Sequence, residues 1–509
     1  MTAPGYHQRT KHSPASMGGG GYLDWANKPL PFKFYPDLEP IYLPVELPES
    51  TLPAAQVLSG LGRVEPVALD LAQVARMLFY SAGVTRRIGR GEGTIFFRAA
   101  PSAGALYPIE LYVVCGSLPG LEAGVYHFGP IDFTLRRMRD GDLRGVLAEA
   151  AADEELGRAA AVLVLTGIPW RTTWKYRERG YRHLFWDSGT ILANLLSVAE
   201  AAGLPCRLVG GFVDDEVSAL LDLGEPQELP LVLVPLGSAT HAAVLAPPPE
   251  PLGLAVQPLS PQPLRSPLLE EAHQAGALKM EDQVAAWRRA GAELGPVKAL
   301  EQVGRATEER SATIEDVILQ RGSARRFSRG TISGDALLWC LAAAGRAVTA
   351  DFVAPGRSLV ERLLAVHAVE GVPAGAYRWE RGDLQRIHEE ASRRRTAYLC
   401  LGQALGGDAA VTVFLSSPLG EVLGRLGDRG YRMAQLEAGI VSGWLHLAAY
   451  ALGLGATGLT FFDDEVKRFF DTESEPMLVT ALGVPDYRAR PGKRPHQVRR
   501  LRLTASPSG

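Results

Sequence analysis

The chain is short of several things that would fix its class at once. It has four cysteines in 509 residues: Cys115, Cys206, Cys340 and Cys400. They are widely spaced and no two form a CxxC pair. Neither a zinc ribbon nor a disulfide framework is indicated, and a reducing cytoplasm fits best. No uninterrupted apolar run is long enough to span a bilayer, so no membrane segment is expected. The first thirty residues have no apolar h-region, so no secretory signal is expected. A basic excess is missing too. The 53 Lys and Arg stand against 56 Asp and Glu, a net charge of −3, which argues against a general nucleic-acid binder. At 46% hydrophobic and 21% charged the chain is globular in composition. Its length calls for at least two cores.

What is present is a repeat. Trp170-Arg-Thr-Thr-Trp174-Lys175-Tyr176-Arg-Glu-Arg-Gly180-Tyr181-Arg182 runs into a helix-like stretch that ends at Gly203. Much later Leu426-Gly-Asp-Arg-Gly430-Tyr431-Arg432 runs into another, ending at Gly453. The two end glycines lie 23 positions apart in each copy, and a second glycine, Gly189 or Gly439, stands nine positions in. Each copy is followed by the same tetrad, Asp214-Asp-Glu-Val217 and Asp463-Asp-Glu-Val466. A match of this length implies a tandem of two related domains.

Pattern and punctuation place the parts. Residues 1–48 are rich in proline and glycine but also in aromatics (Trp25, Phe32, Phe34, Tyr35), so an ordered surface arm is expected. His7 and His12 lie in this arm and read as solvated side chains, since a metal site needs more ligands nearby. A first domain follows at 49–245, with a helix expected over 69–82 and strands at 109–114, 124–128, 161–167 and 231–235. A helix over 187–202 carries an apolar face of Ile191, Leu192, Leu195, Leu196 and Ala199. Residues 246–310 form a proline-rich, semi-rigid linker and bridging helices. The second domain covers 311–509 and repeats the order of elements. Gly375-Ala-Tyr-Arg-Trp379 echoes Gly124-Val-Tyr-His-Phe128. Strands and helices interleave without regular βαβ alternation. The expected class is α+β, two fused domains each with a mixed or antiparallel sheet flanked by helices, forming an internal pseudo-dimer.

Four motifs carry candidate chemistry. Gly453-Leu-Gly455-Ala-Thr-Gly458 spells GxGxxG but ends a helix and opens a strand, the reverse of a dinucleotide fingerprint, and is set aside. Arg321-Gly-Ser323-Ala-Arg325 puts two guanidinium groups and a hydroxyl on one side of an extended segment, a grip for a phosphate dianion or an ordinary solvated loop. Lys493 and Arg494 offer a second clamp, or belong to a solvated basic tail. Pro101-Ser102-Ala103-Gly104 offers small residues and free amides that a flat ring could approach, or is a tight turn. Lys175-Tyr176 sits between two tryptophans and two arginines. Positive neighbours and partial burial would lower the lysine pKa and make it a usable base; an exposed turn is the plain alternative.

Together these residues resemble the FMN-dependent nitroreductase superfamily, and within it the SagB/ThcOx-type azoline dehydrogenases. The resemblance spans both halves. It is most specific at Ala100-Pro-Ser-Ala-Gly-Ala-Leu-Tyr-Pro108 and Lys175-Tyr176-Arg-Glu-Arg-Gly-Tyr-Arg182, and Tyr6-His-Gln-Arg-Thr-Lys-His12 also fits. It implies dimer-like sheets with FMN between subunits. It implies phosphate contacts from Arg321, Ser323, Arg325, Lys493 and Arg494, and cofactor contacts from Pro101, Ser102, Ala103, Gly104, Gly458 and Thr460. It implies Lys175 and Tyr176 as the catalytic pair, acting on an azoline in a peptide or small molecule, with other peptide-modifying enzymes as partners.

The halves depart from that pattern in complementary ways. At an offset of 262, Arg321, Ser323 and Arg325 fall on Ser59, Leu61 and Arg63. The second half has Pro355-Gly-Arg-Ser358 in place of the Pro-Ser-Ala-Gly text and Leu426-Gly427 near the Lys-Tyr position. One FMN per chain is therefore expected, in a site that spans both halves. The rival readings are an NAD(P)H-dependent reductase and a non-catalytic scaffold.

Overall fold

The computed structural model describes residues 1–509 apart from 17–22, 63, 90–93, 225, 300–303, 305–311 and 499–509. Each half folds around one six-stranded sheet, and both sheets are wholly antiparallel. The first runs Pro40–Tyr42, Thr134–Asp140, Gly124–Gly129, Ile109–Cys115, Ala161–Gly167, Leu229–Leu236. The second runs Asp383–His388, Gly375–Glu380, Glu361–Val366, Val411–Ser417, Glu475–Gly483, Gly455–Leu459. Five strands correspond. The sixth differs: the N-terminal arm adds an edge strand in the first half, and the segment after the central helix adds one at the opposite edge in the second.

Local chemistry sets the helix ends. Asp70 accepts a hydrogen bond from the Gln73 amide (2.8 Å) and starts Leu71–Ala82, which Gly83 stops. Thr313 and Asp316 form a capping box at Ile314–Gln320. The central helices, Gly180–Ala201 and Arg429–Ala451, begin well before the apolar periodicity does. Their first turns carry Tyr, Arg and His that are buried against the other half, so the polar face is covered rather than solvated.

These two helices cross at Gly189 and Gly439. A Cβ added at 189 would lie 2.5 Å from the Gly439 backbone, and one at 439 would lie 2.7 Å from the Trp186 carbonyl oxygen. Only glycine lets the backbones approach this closely.

The repeated arginines and tetrads latch the halves together. Asp463 pairs with Arg182 (2.8 Å) and Arg179 (3.0 Å). Asp214 pairs with Arg432 (2.8 Å) and Arg429 (2.5 Å). All six side chains are buried. Burial pushes the Asp463 carboxyl up, but Arg179 and Arg182 outweigh it and hold it at about 2. Each aspartate also receives an arm. Its amide donates to His12 O (3.2 Å) in one case and to Leu278 O (3.3 Å) in the other. The helix Ala3–Arg9 places His7 against Tyr431 (3.3 Å); Pro267–Ala275 places His273 against Tyr181 (3.1 Å). Within the expected bridging stretch, Pro267–Ala275 and the residues up to Leu278 thus repeat the contacts of the N-terminal arm. His7 is also buried rather than solvated, 3.1 Å from Glu475.

The proline-rich stretch is strapped down. Asp222 accepts from the amides of Leu252 (2.7 Å), Gly253 (3.0 Å) and Leu254 (2.8 Å). Leu259 O accepts from the Leu30 amide (2.8 Å), which fixes the arm where it passes the first half.

Candidate active site

A cleft of about 1880 Å³ opens between the halves, walled by both of them and by the arm. On the first-half wall the turn Pro101–Gly104 is tied to the central helix. The Ser102 hydroxyl donates to the Asp187 carboxylate, the Ala103 amide donates to it at 3.3 Å, and Thr190 donates to Pro101 O at 2.9 Å. Burial pushes Asp187 up to about 7, against the pull of those two hydrogen bonds. Gly104 has φ +67°, and a Cβ there would lie 2.9 Å from the Tyr176 hydroxyl and 3.1 Å from Lys175 Nζ. The turn and the Lys-Tyr pair therefore meet.

That pair ends the short helix Pro169–Tyr176, anchored by buried Trp170 and Trp174. The Tyr176 ring stacks on His183 (centroids 4.0 Å, 18°). Burial, and then the Asp187 charge, raise the Tyr176 hydroxyl, so it stays protonated. Burial and Arg179 push His183 far below its ordinary value, so it stays neutral. Lys175 is exposed on the cleft wall rather than partly buried. Among the described residues it has no hydrogen-bond or ion-pair partner.

On the second-half wall Arg321 caps Ile314–Gln320, and Arg321, Ser323, Arg325, Gly458 and Thr460 all line the cleft. Arg321 donates to Ala99 O (2.8 Å) and has no carboxylate partner among the described residues. Burial lowers it to about 10. Lys493 and Arg494 do not line the cleft. The chain leaves it at Gly492, which passes between Leu319 and Thr85 and donates its amide to Leu319 O (2.7 Å). Arg494 pairs instead with Asp316 (2.9 Å) and Glu49. Arg488 and Arg490 reach the cleft in their place.

Three further lining residues escaped the sequence reading: Asp187, His183 and His446. His446 Nδ1 lies 2.7 Å from Ser442 O, while its buried Nε2 has no partner among the described residues. Burial lowers His446 to about 4, so Nδ1 carries the proton and Nε2 is a free acceptor. The available signal was a titratable residue on an otherwise apolar helix stripe. Of the described lining side chains, twelve are Lys or Arg and two, Glu178 and Asp187, are acidic.

The repeat-related positions look different. Ser59 is buried and accepts from Trp339 Nε1 (3.1 Å); Leu61 is exposed; Arg63 lies outside the described residues. Helix Leu419–Leu426 puts Arg425 and Leu426, not Leu426 and Gly427, where Lys175 and Tyr176 stand. One device is kept: Ser358 donates to Glu437 (2.5 Å) as Ser102 does to Asp187.

A duplicated antiparallel α+β domain with a cationic cleft between its copies, matched twice by one family of flavin-using oxidoreductases, defines a two-domain oxidoreductase of the flavin-using kind. The chain belongs to the nitroreductase family, whose model matches residues 69–238 and again 318–489. Along nearly its whole length it is similar to a nitroreductase-like protein of Anabaena variabilis of solved structure. The two are 28% identical, with 95% of this chain and 99% of that one covered and a TM-score of 0.74. The nitroreductase-like protein MJ1384 of Methanocaldococcus jannaschii is 34% identical over 170 residues, 33% of this chain and 81% of its own. The microcin B17-processing protein McbC of Escherichia coli is 30% identical over 142 residues, 27% of this chain and 52% of its own. The donor set fits a flavin nucleotide. Among the described residues Arg321 is a cation without a counter-charge, Gly458 leaves open wall where a Cβ would meet only Val479 O at 3.9 Å, and His446 Nε2 has no donor. No helix among the described residues is long and apolar enough to cross a membrane.

Proposed function

We propose that the chain is an FMN-dependent dehydrogenase that oxidises a thiazoline or oxazoline ring to the azole. The observation that carries this reading is the meeting of Lys175 and Tyr176 with the Gly104 turn, in a cleft whose other wall presents the uncompensated Arg321. Arg321, Ser323 and Arg325, with Arg488 and Arg490, would hold the phosphate. Pro101, Ser102, Ala103, Gly104, Gly458, Thr460 and His446 would border the rest of the cofactor. Bound flavin supplies an acceptor for a hydride. The proton that leaves with that hydride goes to Lys175, which among the described residues has no hydrogen-bond or ion-pair partner and is open to the cleft. Tyr176, kept protonated, donates a hydrogen bond beside it. Asp187 holds the turn against which both pack.

The similarity to a microcin-processing protein supports a peptide substrate, with other peptide-modifying enzymes as partners. The four free cysteines suit a cytoplasmic setting. The proposed domain units are 49–245 and 311–509. The helix Pro267–Ala275, inside the 246–310 stretch, goes with the second unit as Ala3–Arg9 goes with the first.

The test is an absorbance spectrum and flavin count after reconstitution, with mass analysis of an azoline peptide as the second step. Near one FMN per chain and a loss of two hydrogens from the peptide are expected. A colourless protein, or two flavins per chain, would defeat the composite site. Rapid bleaching by NAD(P)H, with the azoline untouched, would turn the reading to a reductase.

A further inference from the structure

The halves agree in backbone at one point where they differ in residue. Arg177 closes the helix Pro169–Tyr176 at φ +50°, and Gly427 closes its repeat Leu419–Leu426 at φ +59°. With ψ at −140° and −160°, this positive-φ, extended-ψ conformation is open to glycine and strained for a residue with a Cβ. A Cβ at 427 would meet nothing within 4 Å, so the backbone and not crowding suits glycine there. The first half therefore carries a strain that a glycine would remove. The arginine side chain does not offset that strain within the fold. It is exposed, it lines the cleft two positions after Lys175, and among the described residues its guanidinium has no hydrogen bond or ion pair.

The surroundings point to an anion. Trp25 and Trp174 meet edge-to-face at 5.2 Å. Lys28 Nζ lies 5.7 Å and 6.0 Å from their ring centroids, and it too has no carboxylate partner among the described residues. Of the two acids in the lining, Asp187 is buried and engaged by Ser102, and Glu178, exposed next to Arg177, forms no ion pair with Arg177 or Lys28 among the described residues. A planar guanidinium fork matches a carboxylate in bidentate fashion, and tryptophan faces accept a flat heterocycle.

We propose that Arg177, together with Lys28 and the Trp25–Trp174 pair, forms a subsite for a carboxylate carried by the substrate beside its reacting ring. The proposal rests on the azoline reading for the identity of the ring, but its binding test does not. The carboxylate could be that of a free azoline acid or the C-terminus of a short azoline peptide. The experiment separates them.

The probe is thiazole-4-carboxylate against its methyl ester, titrated into FMN-reconstituted protein and monitored by tryptophan fluorescence. The acid should bind at least about tenfold tighter than the ester, the size of one charge-assisted contact. Arg177→Gly should abolish that preference while melting no lower than wild type. Equal binding of acid and ester by wild type, or a preference that survives Arg177→Gly, overturns the subsite. So does a lower melting temperature, because the arginine would then be stabilising the fold. In a second arm, an azoline peptide is compared with a free and an amidated C-terminus. Discrimination there assigns the carboxylate to the peptide end; its absence assigns it to the free acid. If no azoline is oxidised but the acid preference appears and is lost in the variant, the proposed reaction fails and the subsite stands.

Discussion

Replacing Arg321 by methionine should stabilise the flavin-free protein and weaken its hold on FMN, two effects of opposite sign from one change. Burial holds the guanidinium at about 10 against an ordinary 12.5. A base whose pKa is lowered by folding destabilises the fold at every pH below the folded value, because the charged form is the disfavoured one. At about 1.36 kcal/mol per unit the penalty is about 3 kcal/mol, an upper figure because part of the side chain meets water in the cleft. Methionine keeps much of the stem packing and loses the hydrogen bond to Ala99 O (2.8 Å), worth about 1 kcal/mol. The flavin-free variant should gain up to about 2 kcal/mol, evenly between about pH 6 and 8. FMN loses a charge-assisted contact of about 1.5–3 kcal/mol, a rise of roughly 10- to 150-fold in Kd. Denaturation of stripped protein reads the first effect and quenching of FMN fluorescence reads the second. A less stable apo-variant that binds FMN as wild type does would refute the reasoning.

Lys175→Ala should leave FMN bound and lower turnover of a verified azoline by about 10²–10⁴-fold; near-normal turnover would remove lysine as the base. Burial pushes Asp187 from its ordinary 3.8 to about 7, so the folded state holds a proton that the unfolded chain releases. Wild-type stability should therefore fall as pH rises from about 4 to 7, by up to about 4 kcal/mol from this group, and level off above. Asp187→Asn should flatten that slope, and adding Glu437→Gln should remove a second share, because Glu437 is also pushed up to about 7 by burial. A variant profile parallel to wild type would count against the assignment. Asp463→Asn leaves Arg179 and Arg182 buried without their partner and should cost about 3–5 kcal/mol, with faster proteolysis of the N-terminal arm. Asp214→Asn should cost about the same; a harmless change at either aspartate would show that the latch is not reciprocal.

The duplication, the α+β class and most element positions were legible because they rest on periodicity and punctuation. Gly83 does stop a helix, and Ala161–Gly167 is a buried strand. The early start of the central helices was not legible. Tyr181, Arg182 and His183 read as polar, and nothing local says that the other half covers them. The same blindness hid the role of the repeated text. Gly-Tyr-Arg and Asp-Asp-Glu-Val marked the duplication, and in the fold they latch one half to the other. Arg321, Ser323 and Arg325 were legible as a cluster because an extended segment sets their direction. Lys493 and Arg494 were misjudged, since composition shows a basic run but not where the chain turns at Gly492. Asp187 and His446 act through contacts made a long way along the chain, which no window of sequence contains.

The crossing at Gly189 and Gly439 bears on what the duplicated gene is free to change. Two identical subunits inherit every substitution twice; two fused copies inherit each one once. At the crossing that freedom is useless, because each glycine presses on the other's backbone and neither can acquire a side chain alone. Away from it, Arg177 faces no such veto from Gly427, nor Lys175 from Arg425. Among these positions, the matched glycines lie on the mechanical axis, and Lys175 and Arg177, where the copies have parted, lie on the cleft. The sequence of this one chain is its own record of which half came to do which work.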